Sequence, residues 1–234
     1  MTTTQPVEAP TPQYNDLPAL LAMLNGDEKH DSSAASTLDV LWVLFDRVLR
    51  LNPADPHDPL RDRLYLSKGH GPHAYYAMLA AFGFLAPETL ATFATFESPL
   101  GHHPDRLLVT GAEISSGSLG HGLPLALGSS LALRAQGMHS PRIVVLLGDA
   151  ELDEGSNDEA IALAGRLRLD RLTAAVIDNR SASHGRRGRL AERFAMDGWA
   201  TVTVSGRDHD QLESAFGHET NGRPLLVVAE NDEP

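Results

Sequence analysis

Two polar side chains stand where buried β-strands end in this sequence. Asp149 closes the apolar run RIVVLLGD (142–149), and Asn179 closes the run LTAAVIDN (172–179). Such continuous runs indicate strands of a parallel sheet buried on both faces, and ligands of these sheets bind beyond the carboxyl ends of the strands. A carboxylate and an amide oxygen there could share an octahedral Mg²⁺ with phosphate oxygens. Helix capping by Asp149 and a turn at Asn179 would explain the same residues without a ligand.

A segment rich in glycine, SSGSLGHG (115–122), offers a second place for a ligand. Glycines let the backbone approach a bound group closely, and a helix that follows favours anions at its N-terminus. A simple entry loop to that helix has the same composition. The segment alone therefore leaves a ligand site and a structural loop both open.

Five of the 11 histidines lie in short segments with glycine and proline. The clustered positions are His70, His73, His102, His103 and His121. Histidine transfers protons near neutral pH and binds metals, so all of these except His121 could also build a metal-dependent hydrolase together with Asp149. However, neither an H-x-x-E-H nor an H-E-x-x-H spacing is present, and a single histidine is more often a surface or capping residue.

The rest of the pattern predicts the elements that position these residues. Further buried strands are expected at 200–204 and 224–230. Helices are predicted at 14–24, 38–50, 67–84, 118–135, 158–169, 190–196 and 210–216. Strands that alternate with helices indicate an α/β fold, namely a three-layer α/β/α domain with a mostly parallel central sheet of about five strands.

Composition excludes several classes of protein. The chain is 42% hydrophobic and 21% charged, so it can bury a core, and its net charge of −12 disfavours nonspecific binding to nucleic acid or to anionic membranes. It has no cysteine, and no apolar run approaches the roughly 18 residues of a membrane span. We expect a tail at 1–13 without the features of a secretory signal, one domain at 14–234, and a cytoplasmic location.

Five segments keep the order and spacing of a known family. They are DRLYLSKGHGPHAYYAMLAAFGF (62–84), GHHPD (101–105), GAEISSGSLGHGLPLALG (111–128), GDAELDEGSNDEA (148–160) and LDRLTAAVIDN (169–179). Together they resemble the N-terminal, thiamin-diphosphate-binding half of transketolase, and most closely the form that is split into two polypeptides. The resemblance covers about half of the chain.

The resemblance implies that thiamin diphosphate and Mg²⁺ bind beyond the strands. In that case the metal ligands would be Asp149, Asn179 and the backbone carbonyl of Ser181. The turn of Gly148, Asp149 and Ala150 would approach the diphosphate. The loop that packs against the two rings of the cofactor would consist of Gly117, Ser118 and Leu119.

The resemblance also implies an activity and a partner. His70 and His103 would line the substrate channel, and Glu154 would lie at a subunit interface that couples paired active sites. The reaction would transfer a two-carbon ketol unit from a ketose donor to an aldose. A separate C-terminal polypeptide would supply the pyrimidine-binding half, most simply in an α₂β₂ assembly.

Several positions depart from the family pattern. Ala150 replaces a glycine, His121 replaces a glutamine, and an early histidine motif is missing, with only His30 nearby. The segment 185–193 is short and basic, and the sequence given ends at AENDEP. One interpretation is a specialised pathway, for example with an acyl carrier protein as acceptor. The alternative is a degenerate, non-catalytic subunit that keeps the fold and the partner interface.

Overall fold

The computed structural model describes residues 12–24, 31–69, 72–182 and 189–231. His70, which the sequence predicts in the substrate channel, lies outside the described residues, and so does His30. Most of the predicted tail also lies outside them, so its state stays a prediction.

The described residues form one sheet of five parallel strands. The strands are β1 (Arg63–Leu66), β2 (Ile143–Gly148), β3 (Leu172–Asp178), β4 (Ala200–Ser205) and β5 (Leu225–Glu230). Their order across the sheet is β1-β2-β3-β5-β4. Because all neighbours are parallel, every strand ends at the same edge, which we call the carboxyl edge.

Seven α-helices flank this sheet in the described part of the chain. They are α1 (Leu17–Leu21), α2 (Asp31–Val43), α3 (Pro72–Ala81), α4 (Gly122–Ala135), α5 (Gly155–Arg166), α6 (Arg189–Met196) and α7 (His209–Phe216). A π-helical turn at Leu44–Val48 extends α2. Short 3₁₀ turns lie at Tyr14–Asp16, Pro87–Thr92 and Ala150–Asp153. Among the described helices, none combines the length and the apolar character needed to cross a bilayer.

The side chains of β2 show how the three layers arise. Val144 and Leu146 belong to one apolar cluster, and Ile143, Val145 and Leu147 belong to another. Successive side chains of a strand point to opposite faces of a sheet, so the two clusters lie on its two faces. Residues from α1, α2, α3 and α7 complete the first cluster, and residues from α4, α5 and α6 complete the second. The predicted α/β/α fold is confirmed.

The edge of the sheet opposite to the carboxyl edge is fixed by a buried carboxylate. Asp62 accepts hydrogen bonds from the side chains of Arg50 at 2.8 Å and Arg142 at 2.9 Å, and from the backbone amides of both. Burial alone would raise the pKa of Asp62, but these hydrogen bonds outweigh it and hold the pKa below its usual value. Because Asp62 precedes β1 and Arg142 precedes β2, this contact aligns the two strands where they begin.

Two predicted helices begin later than expected. The helix predicted over 67–84 begins at Pro72, after the unpredicted strand β1. The helix predicted over 118–135 begins at Gly122. The first difference arises because β1 has only four residues, too few for a periodic pattern. The second arises because glycines with positive φ interrupt the chain before α4.

Candidate functional site

The carboxyl edge brings the segments that follow β1, β2 and β3 side by side. The backbone amide of Ser67, after β1, donates to the carbonyl of Leu146 at 2.9 Å. The backbone amide of Asp149, after β2, donates to the carbonyl of Ile177 at 3.1 Å. These extensions of the strand pairing place the predicted ligand-binding segments next to one another.

Asp149 connects two of these segments through its carboxylate. The side chain is buried, and its Oδ1 accepts from the Ala150 amide at 2.9 Å and from the Ser181 hydroxyl at 2.5 Å. Its Oδ2 accepts from the amide of Ala182 at 3.0 Å. Asp149 is therefore both the cap of the following turn and the partner of Ser181 across the edge.

Asn179 carries a buried oxygen that this arrangement leaves unused. Its Oδ1 has no hydrogen-bond partner among the residues that the structure describes. A buried polar atom without a partner typically costs about 1–3 kcal/mol, so a cation or a donor is needed to satisfy it. An amide oxygen beside the carboxylate segment fits Mg²⁺, which prefers hard oxygen ligands. The residues present therefore fit the ion that the resemblance implies.

The histidines do not assemble a metal centre in the described part of the chain. No group of three or more histidine, cysteine, aspartate or glutamate residues is placed to hold a metal among the described residues. The rings of His73 and His102 both lie edge-on to Phe93, with centroids 4.6 Å and 5.5 Å away. The hydrolase hypothesis therefore gains no support from the described residues.

Ala150 takes an ordinary backbone conformation. It is the first residue of the 3₁₀ turn Ala150–Asp153 and does not belong to the non-glycine residues with positive φ. Those are Ala94, Arg168, Arg180 and Asn221. The methyl group of Ala150 therefore imposes no backbone strain where the family has a glycine.

The glycine loop (residues 117–122) packs closely on its surroundings. Gly117 has a φ of +121°, and a Cβ there would lie 2.9 Å from Cγ of His103. Only glycine fits such a backbone angle and such a contact without displacement. Within this loop, Ser118 is exposed and Leu119 is half-buried. Both therefore keep side-chain surface that a ligand could contact.

His103 is oriented by a backbone carbonyl. Its Nδ1 lies 2.8 Å from the oxygen of Gly69. A carbonyl oxygen only accepts, so Nδ1 donates, and Nε2 of the neutral ring is then the proton acceptor. A Cβ at Gly69 would lie 2.8 Å from Cα of Gly117. The structure thus brings His103 into contact with the glycine loop.

Glu154 lies at the start of α5 and is exposed. It packs under the glycine loop, because a Cβ at Gly120 would lie 2.6 Å from Cβ of Glu154. The contact places this glutamate beside the loop. Its role at a subunit interface stays a prediction.

The structure places a buried carboxyl group at this edge that the sequence did not predict. Glu151 is 1% exposed, and its Oε1 accepts from the Ser67 hydroxyl and from the Gly120 amide, the latter at 3.0 Å. Burial raises the pKa of Glu151, although these two donors act in the opposite direction. Ser67 and Glu151 are 84 positions apart, so no local spacing could have linked them.

The structure also places a buried lysine at this edge that the sequence did not predict. Nζ of Lys68 donates to the hydroxyls of Ser36 at 3.0 Å and Thr37 at 2.8 Å. Burial lowers the pKa of Lys68 to about 8, while the Asp149 carboxylate acts in the opposite direction. The carboxyl edge therefore carries a basic side chain next to its acidic one. The sequence feature that could have indicated Lys68 is the SKGH segment, in which the lysine stands two positions before the predicted His70.

The fold and the site together define an α/β domain that binds an anionic cofactor beyond its parallel strands. The family model described as "Transketolase, thiamine diphosphate binding domain" matches residues 19–230. The chain therefore belongs to the transketolase family and corresponds to the N-terminal, thiamin-diphosphate-binding subunit of the split enzymes.

Two curated relatives extend over most of this chain. The protein named ferredoxin fas2 from Rhodococcoides fascians is 55% identical over 216 residues, which cover 92% of this chain and 71% of that protein. One of the subunits of an apulose-4-phosphate transketolase, from Actinobacillus succinogenes, is 35% identical over 210 residues. That match covers 86% of this chain and 75% of the relative.

Solved structures support the same family. A crystal structure of a transketolase variant from Pichia stipitis superposes with a TM-score of 0.81 at 27% sequence identity. The match covers 93% of this chain but only 36% of that transketolase. The chain thus spans about a third of the length of this solved transketolase.

Proposed function

We propose that this chain is the diphosphate- and Mg²⁺-binding subunit of a two-chain, thiamin-diphosphate-dependent enzyme. The enzyme transfers a two-carbon ketol unit from a ketose donor to an aldose or, in a specialised pathway, to an acceptor on an acyl carrier protein. The relative from Actinobacillus succinogenes, named for apulose 4-phosphate, supports a ketose phosphate as the class of donor.

The observation that carries this proposal is the buried Oδ1 of Asn179, which has no hydrogen-bond partner among the described residues and lies in the segment whose Ser181 hydroxyl donates to Asp149. Mg²⁺ would take the Asp149 carboxylate, the Asn179 amide oxygen and the Ser181 carbonyl as ligands. To bind the metal, Asp149 would exchange its hydrogen bond from the Ser181 hydroxyl for the cation. The remaining positions of an octahedron would be left to phosphate oxygens.

The other residues of the edge would orient the reactants. The backbone of Gly148 and Ala150 would face the diphosphate, and Gly117, Ser118 and Leu119 would contact the rings. Thiamin diphosphate, when bound, supplies the carbon nucleophile and stabilises the two-carbon fragment as a carbanion equivalent.

His103 would act on the hydroxyl groups of the donor. Its Nδ1 proton is engaged by the Gly69 carbonyl, so Nε2 would accept a proton from a donor hydroxyl and return it afterwards. His70, outside the described residues, is proposed for the same channel. Glu154 is proposed to contact the partner subunit.

A second polypeptide would complete the active site. It would supply the pyrimidine-binding half, and two copies of each chain would form an α₂β₂ assembly. The exposed position of Glu154 at the start of α5 leaves it accessible to such a partner. We also propose that the enzyme is cytoplasmic.

The name of the relative from Rhodococcoides fascians is not transferred to this chain. Ferredoxins hold their iron–sulfur clusters with cysteine thiolates, and this chain contains no cysteine. Electron transfer through a cluster held by cysteine therefore does not fit this chain.

The test is a transfer assay with the chain and its candidate partner, mixed with thiamin diphosphate, Mg²⁺ and a ketose phosphate donor. We expect two-carbon transfer from the mixture and none from either chain alone. Asp149→Asn removes the only anionic ligand that the chain is proposed to supply and should lower the rate by about 10- to 100-fold or more.

Asp153→Asn is the matched control, because Asp153 is exposed on the same turn and should leave the rate unchanged. Full activity of Asp149→Asn would contradict the proposed metal site. An intact complex that neither binds the cofactor nor transfers a ketol unit would favour the degenerate, non-catalytic alternative.

A further inference from the structure

Glu151 joins three segments of the carboxyl edge through one carboxyl oxygen. Its Oε1 accepts from the Ser67 hydroxyl, which follows β1, and from the Gly120 amide of the glycine loop. The amide of Gly122 donates to the same Ser67 hydroxyl at 3.0 Å. The turn after β2, the segment after β1 and the glycine loop are thus held by a single buried cluster.

Side chains of α5 form further hydrogen bonds with the backbone near Gly120. The hydroxyl of Ser156, in α5, donates to the carbonyl of Gly120 at 2.6 Å. The side-chain amide of Asn157 donates to the backbone carbonyl of Glu151 at 2.7 Å. Both the amide and the carbonyl of Gly120 therefore have fixed partners next to the turn that carries Asp149.

Packing alone does not explain a carboxyl group at this position. Glu151 is 1% exposed, and its Oε2 has no hydrogen bond of good geometry among the described residues, although the Gly148 amide also acts on the carboxyl group. Burying a polar atom in this way costs stability, and an apolar side chain of similar size would avoid that cost. What an apolar side chain could not do is accept the Gly120 amide and the Ser67 hydroxyl together.

We propose that Glu151 is a positioning residue that holds the glycine loop in its cofactor-binding position relative to the Asp149 turn. This inference rests on the proposed function. Asp149 serves the diphosphate end of the cofactor and residues 117–119 serve its rings, so Glu151 fixes the distance between the two ends. The loop is then ordered before the cofactor arrives, which lowers the entropic cost of binding.

The test compares variants of the full chain, each mixed with the candidate partner, in titrations with thiamin diphosphate and Mg²⁺. Glu151→Met keeps the volume but accepts no hydrogen bond, and we expect the dissociation constant to rise by about 10- to 100-fold, as for other residues that orient ligand-binding groups. Glu151→Gln keeps an acceptor oxygen and should restore an affinity close to that of the wild type. Asp153→Ala, on the same turn but exposed, should change nothing.

A second readout does not need the cofactor. Hydrogen exchange of the Gly120 and Gly122 amides should be faster in Glu151→Met than in the wild type, and Glu151→Gln should reverse the change. The midpoint of urea unfolding should fall modestly in Glu151→Met, because the Gly120 amide loses its acceptor. Faster exchange at Gly120 and Gly122 without faster exchange in β2 and β3 distinguishes positioning of the loop from a general loss of structure.

Ser67→Ala provides an independent variant in case Glu151→Met does not fold. It removes the hydroxyl that bridges Glu151 and Gly122, so the affinity should fall in the same direction. If the wild type binds thiamin diphosphate and the folded variants bind it equally well, the positioning role is overturned while the proposed function stands. If the wild type binds none even with its candidate partner present, the proposed function fails, and the exchange rates alone decide whether Glu151 holds the loop.

Discussion

At the scale of single residues, Ala150 shows that the consequence of a substitution depends on the local backbone. In the family pattern a glycine stands here, and a methyl group would be harmful only if φ were positive or the diphosphate needed its space. The residue begins a 3₁₀ turn, and its amide donates to Asp149 Oδ1 at 2.9 Å. The conformational reason for a glycine is therefore absent at this position.

Replacing Ala150 with glycine should not improve the site. We expect Ala150→Gly to lower the free energy of unfolding by about 0.5–1 kcal/mol, the usual entropic effect of glycine in a helical position. The affinity for thiamin diphosphate should stay unchanged. Urea unfolding and calorimetric titration measure the two quantities, and Ala132→Gly, exposed in α4, is the control for the helical effect alone. A marked gain in affinity would show that the methyl group obstructs the diphosphate.

The residues of the site differ in how far the sequence could predict them. Asp149 and Asn179 follow long apolar runs, so their place at the carboxyl edge could be read directly from the chain. The contact between Ser67 and Glu151 joins positions 84 apart, and no spacing rule predicts a pair that only the folded sheet creates. Whether Asn179 binds a metal stays a prediction.

At the scale of elements, α5 is held close to the turn before β4 by a glycine. A Cβ at Gly165 would overlap the backbone carbonyl of Asp197 and would lie 3.2 Å from Cδ1 of Trp199. The indole of Trp199 donates to the carbonyl of Ile161 at 2.9 Å, so the turn is anchored to α5 from the other side. This contact sets the position of the helix that begins beside Glu154.

Gly165→Ala should therefore destabilise the fold, unlike most replacements of glycine by alanine in a helix. We expect a loss of about 1–3 kcal/mol in the free energy of unfolding, because the neighbour is backbone and cannot yield easily. Gly128→Ala in α4 is the matched control, since a Cβ there meets nothing within 4 Å, and it should gain about 0.5–1 kcal/mol. Urea unfolding of both variants is the measurement, and equal stabilisation of the two would contradict this packing.

The length and burial of the strands explain why some elements were predicted from the sequence and others were not. Strands β2, β3 and β5 are buried on both faces, so their continuous apolar runs gave bounds within about two residues of the structure. Strand β1 has four residues and lies at the edge of the sheet, where such a run is not required. Residues 118–121 were predicted both in a loop that precedes a helix and in the helix expected over 118–135, and the positive φ angles of Gly117 and Gly120 show that they form a loop.

At the scale of the whole molecule, two apolar clusters hold a parallel sheet whose carboxyl edge gathers the predicted ligand-binding residues. The chain carries a net charge of −12, so it does not attract an anionic cofactor by its overall charge. Local groups must therefore overcome the repulsion. A divalent cation bound by Asp149, Asn179 and Ser181 would do so. Binding of the cofactor should therefore depend on the metal.

The most direct measurement is calorimetric titration of the chain, together with its candidate partner, with thiamin diphosphate in Mg²⁺ and in EDTA, for the wild type and for Asn179→Ala. The proposed metal site predicts one cofactor per chain in Mg²⁺, loss of binding in EDTA, and an affinity lowered by more than about 10-fold in Asn179→Ala. Binding that is equally tight in EDTA, or unchanged in Asn179→Ala, would contradict the assignment of the metal site.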